Sequence, residues 1–375
     1  MITENTNLKK TPLYERHLAL GARMVGFSGW EMPVQYTSIL EEHNATRSKT
    51  TIFDICHMGE FLIKGDAAEK TVNNIFTADI SEMKNNTAKY GFMLNDNAGI
   101  IDDLIVFKIS SKEYMLVVNA GRIRVDYECI KSRVEPQAII CDESANTAKL
   151  DIQGPSSPLI TAKIMNTPEI IKLKRFTFMS LVWRGINVIV SATGYTGEKG
   201  YEIFLPAENA VELWDAFLET KEVTPAGLGA RDLLRLEMGY PLYGHDIDET
   251  HTPVAARLDK FVSMKKNFIG KDALLAQKNK GAEIILTGFI CEGRRSPKEG
   301  FEIIIDNTSS GIVTSAGFSP CLKRAVGLCY IASNKAVKGA NIIIKNNDLE
   351  INAVITTPPF IENYGLTPKK YNFPQ

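Results

Sequence analysis

Three stretches of the chain carry residue types able to do chemistry on a polar, nitrogen-rich ligand. The first is Ile101-Asp102-Asp103-Leu104, which follows the turn Asn95-Asp96-Asn97-Ala98-Gly99 and enters the apolar run Ile105 to Ile109. Successive strand side chains point to opposite faces, so one aspartate faces inward and the other meets solvent or a turn amide. A carboxylate held at a strand end in a partly apolar cleft can accept or orient a proton on a nitrogen. The same pair also suits an ordinary Asx turn. The second stretch, Thr193-Gly194-Tyr195-Thr196-Gly197-Glu198-Lys199-Gly200-Tyr201-Glu202, is a glycine-punctuated loop between two strands. Its amides and aromatic edges can meet a flat ligand, and Glu202 can accept paired hydrogen bonds from an amino-pyrimidine edge. A plain hairpin with Glu202 at the surface fits the same residues. The third runs from Pro225 to Glu237, a loop entering a helix. Arg231 at that entrance can bind a carboxylate or a pterin oxygen, whereas Asp232, Arg235 and Glu237 suit structural ion pairs.

Other chemistries find less support. Gly227-Leu228-Gly229 lacks the third glycine and the βαβ surroundings of a dinucleotide fingerprint. The five histidines (His17, His43, His57, His245 and His251) form no metal-binding motif with the cysteines, so no metal is expected. Cys56 and His57 are adjacent, but neighbours on an extended chain point apart, and an unreactive buried thiol is the simpler expectation.

The elements that must position these residues are strands and helices interspersed without a regular βαβ rhythm. Glu60 to Lys64, Leu104 to Ile109, Tyr114 to Val118, Val188 to Ala192 and Tyr201 to Leu205 read as strands, rich in β-branched and aromatic residues and bounded by turns. Tyr14 to Leu20, Ala67 to Phe76, Ala207 to Leu218 and Ala230 to Met238 read as helices. An α+β fold with antiparallel sheets follows. A short helix, Asp272 to Gln277, leads into a linker at Lys278-Asn279-Lys280-Gly281, and beyond it come short strands separated by turns, the pattern of a compact β-barrel or sandwich.

At 375 residues the chain exceeds one ordinary hydrophobic core, and its 44% apolar and 23% charged residues are those of a globular protein. A net charge of -1 gives no general attraction to nucleic acid. Lys260 to Leu349 nevertheless holds 14 Lys or Arg against 7 Asp or Glu. That excess suits a solvated lysine-rich surface or a face toward an acidic partner. No stretch approaches the ~20 apolar residues of a membrane span, and Met1 to Lys10 has no apolar signal core. Six dispersed cysteines suit reduced thiols in a cytoplasmic compartment, and a mature organellar form would look the same.

Taken in order, the stretches resemble the T-protein family of the glycine cleavage system nearly end to end. The resemblance is carried by Thr11-Pro12-Leu13-Tyr14, Gly29-Trp30-Glu31-Met32-Pro33-Val34-Gln35-Tyr36, His57-Met58-Gly59-Glu60, Ile101-Asp102-Asp103-Leu104, Gln153-Gly154-Pro155, Gly194-Tyr195-Thr196-Gly197, Gly227-Leu228-Gly229-Ala230-Arg231-Asp232, Leu242-Tyr243-Gly244-His245-Asp246 and Phe268-Ile269-Gly270-Lys271. It implies a three-domain cloverleaf: two intertwined α+β domains in residues 1–277 around a folate pocket, closed by a C-terminal β-barrel in residues 282–375. It also implies aminomethyltransferase activity. An aminomethyl group on the lipoyl arm of H-protein passes to tetrahydrofolate, giving methylenetetrahydrofolate, ammonia and the dihydrolipoyl arm. By position, Asp103 matches the family's catalytic aspartate and Glu202 the carboxylate that grips the pterin. Arg231, Tyr90, Asn119 and Tyr195 match other folate-site residues, with Tyr364 a further equivalent in the tail.

The chain departs from the family pattern at Ala255 and Lys260, where Glu and Trp are common, so contacts to the folate tail or to H-protein are expected to differ there. Relatives that demethylate amine or sulfonium compounds are the nearest alternative. The non-catalytic folate-binding relatives carry a cysteine that the stretch Lys265 to Asp272 lacks.

Overall fold

The computed structural model describes residues 8–347 and 349–361. A six-stranded sheet runs in the order Phe178–Trp183, Ile186–Ser191, Gly200–Pro206, Thr147–Gln153, Thr51–Asp54, Thr224–Pro225. Its pairings are antiparallel except the last, where Thr224 and Pro225 run parallel to Thr51 and Ile52. A five-stranded antiparallel sheet follows the order Thr87–Leu94, Ile100–Ser110, Glu113–Val118, Gly59–Gly65, Ala138–Asp142. All of the second sheet lies in sequence between Thr51–Asp54 and Thr147–Gln153, which are neighbours in the first. The two units are intertwined by that insertion.

Alternation along the strands explains what the sheets pack against. Ile52, Leu150, Ile152, Ile203 and Leu205 turn one way and are buried with Trp214 and Phe217 of the helix Ala210–Leu218. The opposite face of the same sheet meets the second sheet through Phe204 and Phe178, whose rings approach Phe107 at 5.4 and 5.5 Å. On the strand of Phe107 the residues two and four places earlier are Ile105 and Asp103, so Asp103 leaves the strand on the side facing the first sheet. Two residues before Phe204 stands Glu202, which by the same rule faces the second sheet. Period-two geometry thus aims the two carboxylates into one interface, one from each sheet.

A closed six-stranded barrel is built from Ile284–Cys291, Arg324–Ala332, Thr308–Ser319, Glu302–Ile305, Asn341–Asn346 and Leu349–Thr356. Phe289, Ile303, Ile331, Ile344 and Ile355 help fill it. Its outer wall docks on the rest of the chain through Leu286, Leu328, Tyr330 and Phe360 against Leu236 and Ala255.

Several element boundaries differ from the sequence expectation. The helix before the barrel runs Lys271–Lys280, through most of the expected linker, and stops where Gly281 adopts φ +85°. The strand bearing the aspartate pair starts at Ile100, so Asp102 and Asp103 are ladder residues rather than members of an Asx turn.

Candidate active site

The Asp103 corner is assembled from three adjacent strands. Tyr90, from Thr87–Leu94, donates its hydroxyl to Asp103 Oδ2 at 2.9 Å. Asn119, one residue beyond Glu113–Val118, donates Nδ2 to Asp103 Oδ1 and to Asp102 Oδ1, both at 2.8 Å. Its backbone N–H reaches Asp102 Oδ2 at 3.0 Å. Asp102 is wholly buried and Asp103 half-buried, the division that strand alternation predicts. Burial, and then the charge of Asp102, pushes the Asp103 carboxyl up to about 7. Behind them the buried Asp126, on the helix Ile123–Lys131, is pushed up to about 11 by burial and by Asp102. A carboxyl poised near neutrality, oriented by two donors, is suited to exchanging a proton with a bound ligand.

The second corner lies on the six-stranded sheet. Glu202 is 4% exposed, which rules out the surface-hairpin reading. Its Oε2 accepts from the Thr193 hydroxyl at 2.6 Å, and Lys149 Nζ stands 3.7 Å from Oε1. Directly across the ladder from Glu202 is Asp151, whose Oδ2 accepts from Arg231 Nη1. Arg231 comes from the first turns of the helix Leu228–Glu237, which starts at Gly227 in an extended conformation. Gln153 ties this corner to the glycine loop: Nε2 donates to Asp151 Oδ1 and to the Thr193 carbonyl, and Oε1 accepts from Thr196. Gly194 is required there, because a Cβ would fall 2.2 Å from Gln153 Nε2.

Tyr195 stands beside the second corner. The Arg231 guanidinium lies over its ring at 5.2 Å and over that of Phe53 at 5.9 Å. Tyr195 stacks on Tyr240 at 5.8 Å and donates its hydroxyl to the Pro241 carbonyl. It also lies within electrostatic reach of Asp103 and of Tyr90. Tyr90 packs edge-on against Phe261 at 4.9 Å. Aromatic rings, a carboxyl raised toward neutrality and paired charges are thus gathered on the facing sides of the two sheets and on the helix and loop beside them.

The chain can be placed among known proteins. The family model described as the GCVT N-terminal domain matches residues 13–266, and that described as the glycine cleavage T-protein C-terminal barrel domain matches residues 285–362. The chain belongs to the glycine cleavage T-protein family. An aminomethyltransferase of Caldanaerobacter subterraneus subsp. tengcongensis is 44% identical over 96% of this chain and 97% of its own length. One of Halothermothrix orenii is 42% identical over 94% of this chain and all of its own. The crystal structure of glycine cleavage system aminomethyltransferase T from Bartonella henselae superimposes with a TM-score of 0.91 at 30% identity, covering 96% of this chain and 100% of that one.

Within this T-protein chain, several expected features fall elsewhere or outside view. Tyr364 lies outside the described residues. Ala255 is buried beneath the barrel, its carbonyl accepting from Leu286 N at 2.8 Å, while Lys260 is exposed with Nζ 4.9 Å from the Phe261 ring. Cys56 is buried and its thiol is raised well above the ordinary range by burial, while burial holds His57 down at about 4. The adjacent pair has the character of packed interior, not of thiolate and base.

Sequence reading missed one grouping entirely. The ligand atoms of His43, Glu237 and Cys321 lie within 4.8 Å of one another. Arg47 Nη2 already stands 2.8 Å from Glu237, as does His43 Nε2, so a buried ion-pair cluster accounts for the grouping without a metal. Arg235 and Glu237 are structural, as expected, Arg235 pairing with Asp246 at 2.7 Å. Lys149 and Asp151 were also missed, and Gln153 was read only as part of the Gln153-Gly154-Pro155 motif, although their alternation with Ala148, Leu150 and Ile152 is a strand signal.

Proposed function

We propose that this chain is a tetrahydrofolate-dependent aminomethyltransferase of the glycine cleavage system. It takes the methylene unit from the aminomethylated lipoyl arm of H-protein and transfers it to tetrahydrofolate, with release of ammonia and of the dihydrolipoyl arm. The observation that supports this reading is that Asp103, held by Tyr90 and Asn119 on one sheet, and Glu202 on the other leave their strands toward the same inter-sheet interface, with Arg231 of the helix Leu228–Glu237 lying over the Tyr195 ring beside it.

Asp103 has the mechanistic role. As a carboxylate held by Tyr90 and Asn119 it orients the reacting folate nitrogens and accepts a proton as the new carbon–nitrogen bonds form and ammonia departs. Glu202 accepts hydrogen bonds from the amino-pyrimidine edge, Arg231 meets a folate oxygen or carboxylate, and Tyr195 and Tyr90 bound the ring faces. Folate carries the one-carbon unit and lipoate delivers it, so the protein supplies position and electrostatics, with no metal required. The partners are small-molecule folate and lipoylated H-protein, and the place of action is the cytoplasm. Among the described residues no helix is long and apolar enough to cross a membrane, and all six cysteines are free.

The decisive experiment mixes purified protein, tetrahydrofolate and aminomethylated H-protein and measures ammonia. Asp103→Asn is expected to lower the turnover rate by ~10²- to 10⁴-fold while tetrahydrofolate still binds. Tetrahydrofolate binding without ammonia release from the unsubstituted protein would favour the non-catalytic folate-binding relatives instead.

A further inference from the structure

The sheet face behind the glycine loop carries more charge than folate recognition by Glu202 and Arg231 alone calls for. Across the ladder, Phe53, Asp151, Glu202 and Ser191 form one row on neighbouring strands. Two carboxylates therefore sit side by side on one face, each matched to one cation: Asp151 to Arg231, and Glu202 to Lys149. Like charges directly opposite are unfavourable unless compensated, so the two pairs are interdependent. Asp151 is wholly buried, whereas the Arg231 side chain keeps 13% of its surface. Arg231 can touch a ligand and Asp151 cannot.

Asp151 is itself fixed, since Gln153 Nε2 donates to its other oxygen at 2.6 Å. An arginine side chain that is otherwise free samples many rotamers, and a fixed carboxylate removes much of that freedom before the ligand arrives. The carboxylate also chooses the direction. With Nη1 on Asp151, the guanidinium is kept over the rings of Tyr195 and Phe53, and no other side-chain acceptor for its remaining donors is seen among the described residues.

We infer that Asp151 is a positioning residue for folate binding: it holds the Arg231 guanidinium against Tyr195 in its ligand-facing orientation, so that its loss weakens tetrahydrofolate affinity. This rests on the assignment of Arg231 to the folate site made above. The charged groups around Asp151 are Arg231 from the helix, Glu202 from the next strand and Lys149 from its own strand, with Glu60 and His57 beyond them. Phe53 from the strand on its other side brings no charge. Burial raises the Asp151 carboxyl to about 6 despite the pull of Arg231. Protonation on descending through that pH dissolves the pair and releases Arg231, so affinity falls toward acid.

The test measures tetrahydrofolate dissociation constants by calorimetry between about pH 5.5 and pH 8, together with ammonia-release kinetics and melting temperatures. The proteins are the unsubstituted chain, Asp151→Asn, Arg231→Gln and the double variant. Removal of a charged hydrogen-bond partner predicts a roughly ten- to hundredfold weaker affinity for Asp151→Asn at about pH 7.5, with the loss falling on KM rather than on kcat. The weakening of the unsubstituted protein near pH 6 should vanish in this variant. In the Arg231→Gln background, Asp151→Asn should add no further loss. A folded Asp151→Asn protein with unchanged affinity and pH profile, or effects that add independently in the double variant, overturns the inference. If the variant does not fold, a pH-independent affinity in the unsubstituted protein overturns it equally. No tetrahydrofolate binding or turnover by the unsubstituted protein would instead defeat the functional reading itself.

Discussion

At the scale of single residues, Asp103 combines two demands that oppose each other. Tyr90 and Asn119 hold it in one orientation, while burial and Asp102 make its ionised form costly. To accept a proton from a folate nitrogen it must be ionised, so the turnover rate should fall as pH drops through about 7. Asp103→Asn should abolish that limb, and a limb that survives the substitution would assign it to another group. The same shift has the opposite sign for stability. A carboxyl whose folded pKa lies above its unfolded value is stabilising only while protonated, and its charge costs stability as pH rises through the folded value. Asp103→Asn should therefore melt higher than the unsubstituted protein at about pH 8 and nearly alike at about pH 4, by calorimetry. Loss of function accompanied by a gain in stability is the signature of a strained functional carboxyl.

At the scale of elements, the region depends on the faces that strands turn toward each other. Phe204, two residues beyond Glu202, meets Phe107 across the two sheets and lies 5.3 Å from Lys149 Nζ. Phe204→Ala should cost about 3–5 kcal/mol by urea unfolding and also impair turnover, because the sheets that carry Asp103 and Glu202 lose their spacer. Full stability or unaltered turnover would show that the sheets are held apart by other contacts. The same faces mark what the sequence disclosed. Runs such as Tyr114 to Val118 and Tyr201 to Leu205 are mostly aromatic, aliphatic or β-branched, and their strands lie within a residue of the expected bounds. Thr147–Gln153 is different: Lys149, Asp151 and Gln153 read locally as the solvent side of a half-buried strand, yet they are 1%, 0% and 0% exposed. Lys149 is met by Met58, Asp151 by Arg231 of a helix 80 residues on and Gln153 by the loop at Thr193 and Thr196, partners that no local pattern encodes. Asp103, Glu202 and Arg231 became legible as a group through the family resemblance, since locally Asp103 also fitted a turn and Glu202 a hairpin, and nothing near Arg231 in the chain ties it to either.

At the scale of the whole molecule, the barrel is anchored by buried charge as well as by apolar packing. Arg235 joins Asp246 at 2.7 Å and reaches the barrel at Ser315 Oγ, 2.8 Å away, and the Tyr330 hydroxyl donates to the Asp246 carbonyl. Arg235→Met leaves Asp246 buried without its cation and should destabilise by about 3–5 kcal/mol in urea; a shift under about 1 kcal/mol would leave docking to the apolar wall. The lysine-rich segment from Lys260 to Leu349 predicts that affinity for H-protein weakens with added salt. Salt-independent affinity would remove that segment from the partner surface. A last consequence belongs to synthesis. Residues 55–146 must leave the ribosome between two strands that end up edge to edge, and the helix bearing Arg231 follows later still. A nascent chain presents its acid group long before it owns a grip on the substrate, so no amino-terminal fragment ending ahead of that helix should hold tetrahydrofolate.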